Sequence, residues 1–232
     1  MSWRPGAVLP AGFYARPTLV VAGEILGAVL VHETPEGLVS GRIVEVEAYI
    51  GESDPGCHAA AGPTPRNRPL YEAPGRAYVY LNYGVHCLLN AVTDDEGRPA
   101  AVLIRAVEPV EGLALMRRRR TRDGHAPPLD HALGRGPGNL ARAFGITLAH
   151  NRVPLDQGAL RIHAGDTRAG EVRWTRRIGL SRGGDRYWRP IVTGSAAVSG
   201  TRAWNADRRT RPWPGRAVAD TAPFPKTLTS TK

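Results

Sequence analysis

The segment R-I-V-E-V-E-A-Y-I at positions 42–50 constrains the fold more than any other part of the chain. Its period-two alternation predicts a β-strand. We expect one apolar face and one face that carries two carboxylates and a phenol: the first comprises Val44, Val46, Ala48 and Ile50, the second Ile43, Glu45, Glu47 and Tyr49. At ~3.3 Å rise per residue, the two acids start about 7 Å apart. Because like charges on one buried face repel, this strand is more typical of a functional site than of a purely structural element.

Hairpins are predicted along most of the first half of the chain, because short alternating segments are separated by turn residues. The expected strands are residues 28–32, 42–50, 77–83, 85–92 and 100–107. Residues 108–120 are predicted to form a helix, whose four terminal arginines complement the helix dipole. Mixed hairpins with a few helices favour one α+β domain. We expect it to span residues 1–202, with residues 203–232 as a C-terminal extension of loop or tail.

The charge of the chain indicates an anionic partner. A net charge of +10 and a pI near 10.4 are typical of proteins that bind polyanions. Of the 31 basic residues, only Lys226 and Lys232 are lysines. Arginine suits bidentate contact with phosphate, although genome composition can produce the same bias. The lack of lysine in residues 1–225 argues against an amine nucleophile for Schiff-base chemistry.

Several classes of protein do not fit the sequence. No run of 18 apolar residues predicts a membrane span, and the N-terminal residues lack a signal-peptide pattern, so we expect a cytoplasmic protein, nucleoid-associated if prokaryotic. Two cysteines are too few for a disulfide framework, and the histidines lack metal-ligand spacing. Phosphate-binding loops and nucleophile elbows are also missing. We therefore expect no metal and no cofactor.

Candidate site residues follow from local context. Arg105 lies in the apolar segment V-L-I-R-A and needs an anionic partner, for which Glu47 or Glu45 is the natural choice. Two interpretations of the acids stay open. They could act as a pair, as in glycoside hydrolases; alternatively, Glu45 only pairs with an arginine and Glu47 alone is a base.

The aromatic residues point to a nucleobase. Tyr83 stands beside Gly84 at a predicted hairpin tip, where an exposed tyrosine could fill a gap in a base stack or fold back onto the surface. Tyr49, His58 and Tyr80 could offer flat faces on which a base stacks.

At these positions the chain resembles the alkyladenine (3-methyladenine or N-methylpurine) DNA glycosylase family. The resemblance covers most of residues 12–200 and depends on long, ordered motifs. They are L-G-A-V-L-V (26–31), G-R-I-V-E-V-E-A-Y (41–49), His58, T-P-R-N (64–67), P-G-R-A-Y-V-Y-L-N-Y-G (74–84), L-N (89–90), A-V-L-I-R-A (101–106), E-P-V-E-G (108–112) and G-P-G-N-L-A-R-A-F-G-I (136–146).

The resemblance implies a mixed α/β domain with a curved antiparallel sheet, flanking helices and a protruding β-hairpin. It also implies a role for each matched residue. Glu47 would activate water for attack on the sugar C1′, and Arg105 and the backbone carbonyl of Val198 would hold that water. Tyr49, His58 and Tyr80 would line the base pocket. Asn90 would disfavour the exocyclic amine of guanine, and Tyr83 would fill the space left by the flipped base.

The expected function is that of a monofunctional, monomeric DNA glycosylase of base excision repair. It would act on double-stranded DNA that contains 3-methyladenine, 7-methylguanine or hypoxanthine, and it would leave an abasic site. Two alternatives remain at this stage. One is a non-catalytic binder of damaged or distorted nucleic acid, and the other is a carbohydrate hydrolase that uses Glu45 and Glu47. Salt dependence separates them, since phosphate contacts make affinity fall steeply with salt.

Overall fold

A computed structural model describes residues 6–165 and 170–205 of the chain. Its strands are β1 (Val29–Thr34), β2 (Gly37–Ile50), β3 (Ala77–Asn82), β4 (His86–Val92), β5 (Ala100–Glu111), β6 (Leu160–His163), β7 (Val172–Thr175) and β8 (Arg189–Val192). Its α-helices are α1 (Ala11–Tyr14), α2 (Thr18–Glu24), α3 (Leu113–Arg120), α4 (Asp130–Leu133), α5 (Pro137–Phe144) and α6 (Arg202–Asn205). Short 3-10 helices lie at His58–Ala61, Arg68–Tyr71 and Leu148–His150.

The strands form one antiparallel sheet that curls into a half-barrel, in the order β3-β4-β5-β2-β1-β6. Strand β8 pairs with β2 and with β7. The 14 residues of β2 make it long enough to contact β1, β5 and β8, so it lies at the centre of the sheet. The predicted α+β class and curved antiparallel sheet are confirmed.

The two faces of the sheet have different tasks, because alternate residues of each strand point to opposite sides. One face packs into the main core, to which β2 to β5 contribute Val46, Ala48, Ile50, Ala77, Val79, Leu89, Ala91, Val102 and Ile104. The other face borders a cavity, to which the same strands contribute Tyr49, Tyr78, Tyr80, Leu88, Asn90, Ala101, Leu103 and Arg105. Cavity-lining side chains and core side chains therefore alternate along the same strands.

One part of the predicted face assignment is wrong. Ile43 was expected beside the carboxylates, yet it is fully buried in the main core, whereas Val44 packs in a separate cluster with Ile191 and Val198. The reason is an irregularity in the ladder between β2 and β5, whose pairing skips Val44 on one strand and Arg105 on the other. An extra residue on a strand reverses the direction of the side chains that precede it.

The helix predicted over residues 108–120 begins later than expected. Residues 108–111 extend β5 and pair with the start of β2, and the helix begins at Leu113. Gly112 separates the two elements with φ +76°, and a Cβ at this position would approach Leu38 O to 2.2 Å. The backbone therefore turns sharply at a residue that only glycine can occupy without strain.

The C-terminal boundary predicted at residue 202 falls within α6, which continues to Asn205. Residues 206–232, and with them Lys226 and Lys232, lie outside the described residues. In residues 6–165 and 170–205, no helix is both long and apolar enough to cross a membrane.

Candidate active site

A cavity of about 300 Å³ opens on the face of the sheet opposite the main core. The side chains on β2 to β5 form its floor, and residues outside the strands form its walls. The residues of these walls, which belong to loops, to two 3-10 helices and to the start of α5, are Gly56, Cys57, His58, Leu70, Tyr83, Pro137, Ile178, Gly179 and Leu180. An aromatic, concave site with a few polar groups is typical of a pocket for a small planar ligand.

Glu47 lies directly behind this cavity and is fully buried. Its Oε2 accepts hydrogen bonds from the Tyr49 hydroxyl at 2.7 Å and from Arg105 Nη1 at 3.1 Å. Its Oε1 accepts one from the backbone N–H of Ile178 at 2.9 Å. A carboxylate has about four acceptor sites. The three protein donors therefore leave room for one further donor, such as a water molecule.

Glu45 is also fully buried, but its acceptor sites are taken. Its Oε1 accepts from Arg105 Nε at 2.8 Å, from Arg189 Nε at 2.7 Å and from the Ser199 hydroxyl at 2.8 Å. Its Oε2 accepts from the Ser199 N–H at 2.6 Å. Burial raises the pKa of Glu45, but the two guanidinium groups and Ser199 outweigh burial, so the net pKa lies below its usual value. Glu45 is thus an ionised, fully coordinated anchor.

Arg105 connects the two acids. Its Nε binds Glu45 and its Nη1 binds Glu47, while Nη2 donates to the Ser199 hydroxyl at 3.3 Å. Burial alone would lower the pKa of Arg105, but the two carboxylates raise it well above its usual range. The residue is therefore a permanent cation, and the predicted need for an anionic partner is met by both candidate acids.

The predicted aromatic residues meet around the pocket. His58 Nδ1 lies 2.9 Å from the Tyr78 hydroxyl, and its ring meets the ring of Tyr80 edge-on at 4.5 Å. Burial and the nearby Arg66 lower the pKa of His58, so its imidazole is uncharged at neutral pH. Burial, aided by the charge of Glu47, raises the pKa of Tyr80 to about 12. Both side chains therefore face the cavity without charge.

Asn90 and Tyr83 both border the cavity. Asn90 lines the floor, and its Nδ2 donates to the carbonyl oxygen of Tyr78 at 3.0 Å, which fixes the amide. Tyr83 borders the cavity from the tip of the β3–β4 hairpin, where it is 87% exposed and has φ +49°. Val85, two residues further, is also exposed.

Val198 does not line the cavity. Its side chain is buried, and its carbonyl oxygen accepts a hydrogen bond from Arg135 Nε at 2.9 Å. The next residue, Ser199, binds Glu45 through both its N–H and its hydroxyl. The Val198 carbonyl therefore belongs to the same peptide group as the N–H that binds Glu45, and it points away from Glu45 because this peptide bond is trans.

Sequence reasoning missed four contributors to this cluster: Arg177, Ile178, Arg189 and Ser199. Arg189 is fully buried in Y-W-R-P-I-V, so the argument that singled out Arg105, a cation among apolar residues, would also have found it. Ile178 acts through its backbone N–H, for which a side-chain pattern carries no signal. Within the described residues, no three His, Cys, Asp or Glu side chains are grouped so that they could hold a metal ion.

Comparisons with known proteins identify the family of the chain. The sequence model described as methylpurine-DNA glycosylase matches residues 12–196, which include Glu45, Glu47, Arg105 and Arg189. The chain belongs to this family. It is therefore a DNA glycosylase, a hydrolase of N-glycosyl bonds that functions in DNA repair, as the sequence predicted.

Three relatives carry the name "Putative 3-methyladenine DNA glycosylase". The protein from Rubrobacter xylanophilus is 50% identical over 192 residues, which cover 78% of this chain and 97% of the relative. That from Salinibacter ruber is 47% identical over 203 residues (82% and 96%). That from Chlorobium phaeobacteroides is 43% identical over 196 residues (84% and 96%). The similarity thus spans nearly the full length of each relative.

Proposed function

We propose that the protein flips an alkylated or deaminated purine out of double-stranded DNA and hydrolyses its N-glycosidic bond with a water activated by Glu47. The observation that carries the proposal is the coordination of Glu47, a buried carboxylate with one acceptor site left, immediately behind an aromatic cavity. Glu45 is unsuited to the same task because four donors already bind it.

The reaction requires one proton transfer and one displacement. Water gives a proton to Glu47, its oxygen bonds to the sugar C1′, and the electron pair of the C1′–N bond leaves with the purine. As that bond breaks, positive charge develops on the sugar, which the negative charge of the acid cluster stabilises. Arg105 and the carbonyl of Val198 hold the water, and the second lone pair of that carbonyl remains to do so beside the bond from Arg135.

The pocket fits a purine that carries a positive charge or none. Tyr49, His58 and Tyr80 surround the base with flat faces, and the uncharged imidazole of His58 does not repel a cationic base. Cationic 3-methyladenine and 7-methylguanine leave as neutral bases, whereas hypoxanthine must be protonated. Asn90 stands at the purine edge, where its amide, held in place by the bond from Nδ2 to Tyr78, disfavours guanine by occupying the space that the exocyclic amine would need.

Tyr83 fills the space that the base vacates. Its ring is exposed at the end of a hairpin that borders the cavity, which is the geometry of a wedge between base pairs. The acid cluster is complete within one chain, so the reaction needs no residue from a second copy, and we propose that the enzyme acts as a monomer. Lysine is missing from residues 1–225, so no Schiff base forms at this site and the product is an abasic site.

The test is release of base from a duplex that carries a single 3-methyladenine or hypoxanthine, under single-turnover conditions. Glu47→Gln keeps the shape of the side chain but cannot take up the proton. We expect its rate to fall by at least about 100-fold, within the range that general bases contribute, while binding to the duplex persists. Glu111→Gln, at the exposed end of β5, is the matched control and keeps the wild-type rate.

The other outcomes are equally informative. Tight lesion binding without release by the wild type would indicate a non-catalytic binder or a different lesion. Release that Glu47→Gln leaves undiminished would contradict the assignment of the base, while the reaction itself would stand.

A further inference from the structure

Asp54 and Arg177 form a bidentate ion pair that sequence reasoning did not identify. Arg177 Nη1 lies 2.6 Å from Asp54 Oδ2, and Arg177 Nη2 lies 2.7 Å from Asp54 Oδ1. Both side chains are completely shielded from solvent. The partners are 123 residues apart in sequence, so the pair fixes two distant segments against each other.

Those segments are the two loops that form one wall of the base pocket. Asp54 precedes Gly56, Cys57 and His58, and Arg177 precedes Ile178, Gly179 and Leu180, all of which line the cavity. The loops close tightly over the pair. A Cβ at Gly56 or at Gly183 would lie 2.9 Å from Arg177 Nη2 in either case, so no larger residue fits at these places without displacing the guanidinium.

Arg177 also contacts the strand that carries the catalytic acid. Its Nη1 donates to the carbonyl oxygen of Ala48 at 3.0 Å, and its guanidinium lies over the ring of Tyr49, 4.7 Å from the ring centre. The following residue, Ile178, donates its N–H to Glu47. Arg177 thus fixes two groups that donate to Glu47: the backbone N–H of Ile178 and the ring that carries the Tyr49 hydroxyl.

Stability alone does not account for this arrangement. A buried ion pair adds little stability compared with apolar residues of similar size, because both charges lose their hydration. Here the cost is higher, since Arg177 Nε is buried and has no hydrogen-bond partner in the described part of the chain. A pair retained despite this cost is better explained by the geometry that it imposes.

We infer that Asp54 and Arg177 are positioning residues for base excision: the pair sets the Ile178 N–H and the Tyr49 ring against Glu47, and it shapes the pocket wall. This inference rests on the proposed function of Glu47. Neither residue touches the reacting atoms. Weakening the pair should therefore slow the chemical step far more than it weakens binding of DNA.

The experiment compares Arg177→Lys and Asp54→Asn with the wild type. Lysine keeps the positive charge but lacks the planar guanidinium group that binds both carboxylate oxygens. Asparagine keeps the shape of aspartate but lacks its negative charge. We expect single-turnover base release to fall about 100-fold, the effect of a displacement of about 1 Å at a catalytic group. Affinity for a duplex that contains an abasic analogue should change less than about threefold. Such a duplex places no base in the pocket, so it is bound only through contacts away from the pocket wall.

Arg186→Lys is the matched control. Arg186 belongs to the same loop region, lies over Trp188 as Arg177 does, and donates to Ser53 O, but it is only half-buried and forms no ion pair with Asp54 within the described residues. Its rate should remain that of the wild type. Equal losses of rate and of binding in Arg177→Lys, or a wild-type rate in that folded variant, would overturn the inference.

Folding is checked by near-UV circular dichroism, and rates are measured well below the melting temperature. If both variants fail to fold, the Gly183→Ala variant tests the inference instead, because the added methyl group displaces the ion pair while both charges remain. A folded Gly183→Ala variant with the wild-type rate would overturn the inference. A wild type that releases no base would refute the proposed function, and this inference with it. An active wild type with an active Arg177→Lys variant refutes the inference alone.

Discussion

The hydroxyl of Tyr49 donates a 2.7 Å hydrogen bond to Oε2 of Glu47, two residues earlier on the same strand. Burial, reinforced by the charge of Glu47, raises the pKa of Tyr49 well above its usual value. The phenol therefore stays protonated and remains a donor at neutral pH. The acid and its donor are fixed to each other by the pleat of one strand.

Tyr49→Phe should slow base release without loss of DNA binding. The change removes one of three protein donors to Glu47, and a hydrogen bond to a charged group contributes about 1.5–3 kcal/mol, so we expect a fall of roughly 10- to 100-fold. Single-turnover kinetics on a lesion duplex measure it. Tyr71→Phe removes a similar bond to the exposed Glu52 and should have no effect; equal rates in the two variants would contradict the role of Tyr49.

Tyr83→Ala should impair action on duplex DNA more than on single strands. Without the wedge, the vacated space in the stack stays open and the flipped state costs a few kcal/mol more, so we expect release from duplex to fall by roughly 10-fold or more. The side chain is 87% exposed, so the melting temperature should not change. Val85→Ala, at the same tip, is the control. A similar loss on single-stranded and double-stranded substrates would count against a wedge.

Glu45→Gln should change how stability depends on pH. The folded pKa of Glu45 lies below its unfolded value, so its contribution is fully present above pH 4.5 and is lost as the pH falls through the folded pKa. Breaking this buried network should cost about 3–5 kcal/mol at pH 7. Denaturant unfolding at several pH values should give a shallower acid slope in the variant. An unchanged slope would contradict the ionised state of Glu45.

The product should be an intact strand with an abasic site. Wild-type reactions are expected to yield breaks only after treatment with alkali, and borohydride should trap no covalent complex, because no lysine lies in residues 1–225. Gel electrophoresis before and after alkali measures this. Strand cleavage that survives replacement of both Lys226 and Lys232 by arginine would show that another group performs lyase chemistry.

The sequence predicted the parts of the site that follow from strand periodicity. Glu47 and Tyr49 point together because they are two residues apart, and Tyr78 and Tyr80 share the cavity for the same reason. Arg105 was found because a cation in an apolar strand must have a partner. His58 was only a candidate stacking face among several, and the resemblance alone supplied Asn90; the positions of both residues depend on a long loop and on strand pairing that local patterns do not encode.

The parts that were not predicted depend on contacts across the chain. Ile43 was placed on the wrong face because a skipped residue in pairing with β5 has no signature in β2 itself. The helix over 108–120 began too early because the pairing of residues 108–111 with β2 overrides local helical preference. The pair of Asp54 and Arg177 joins two loops, so only the folded chain brings its members together.

The division of the sheet into a core face and a cavity face has a consequence for how this enzyme can change. Cavity-lining side chains alternate with core side chains along these strands, so substitutions at Ala101 or Leu103 change the shape of the pocket while Val102 and Ile104 keep the main core intact. Inserting or deleting one residue has the opposite effect. It exchanges the two sets at once and abolishes folding and repair together.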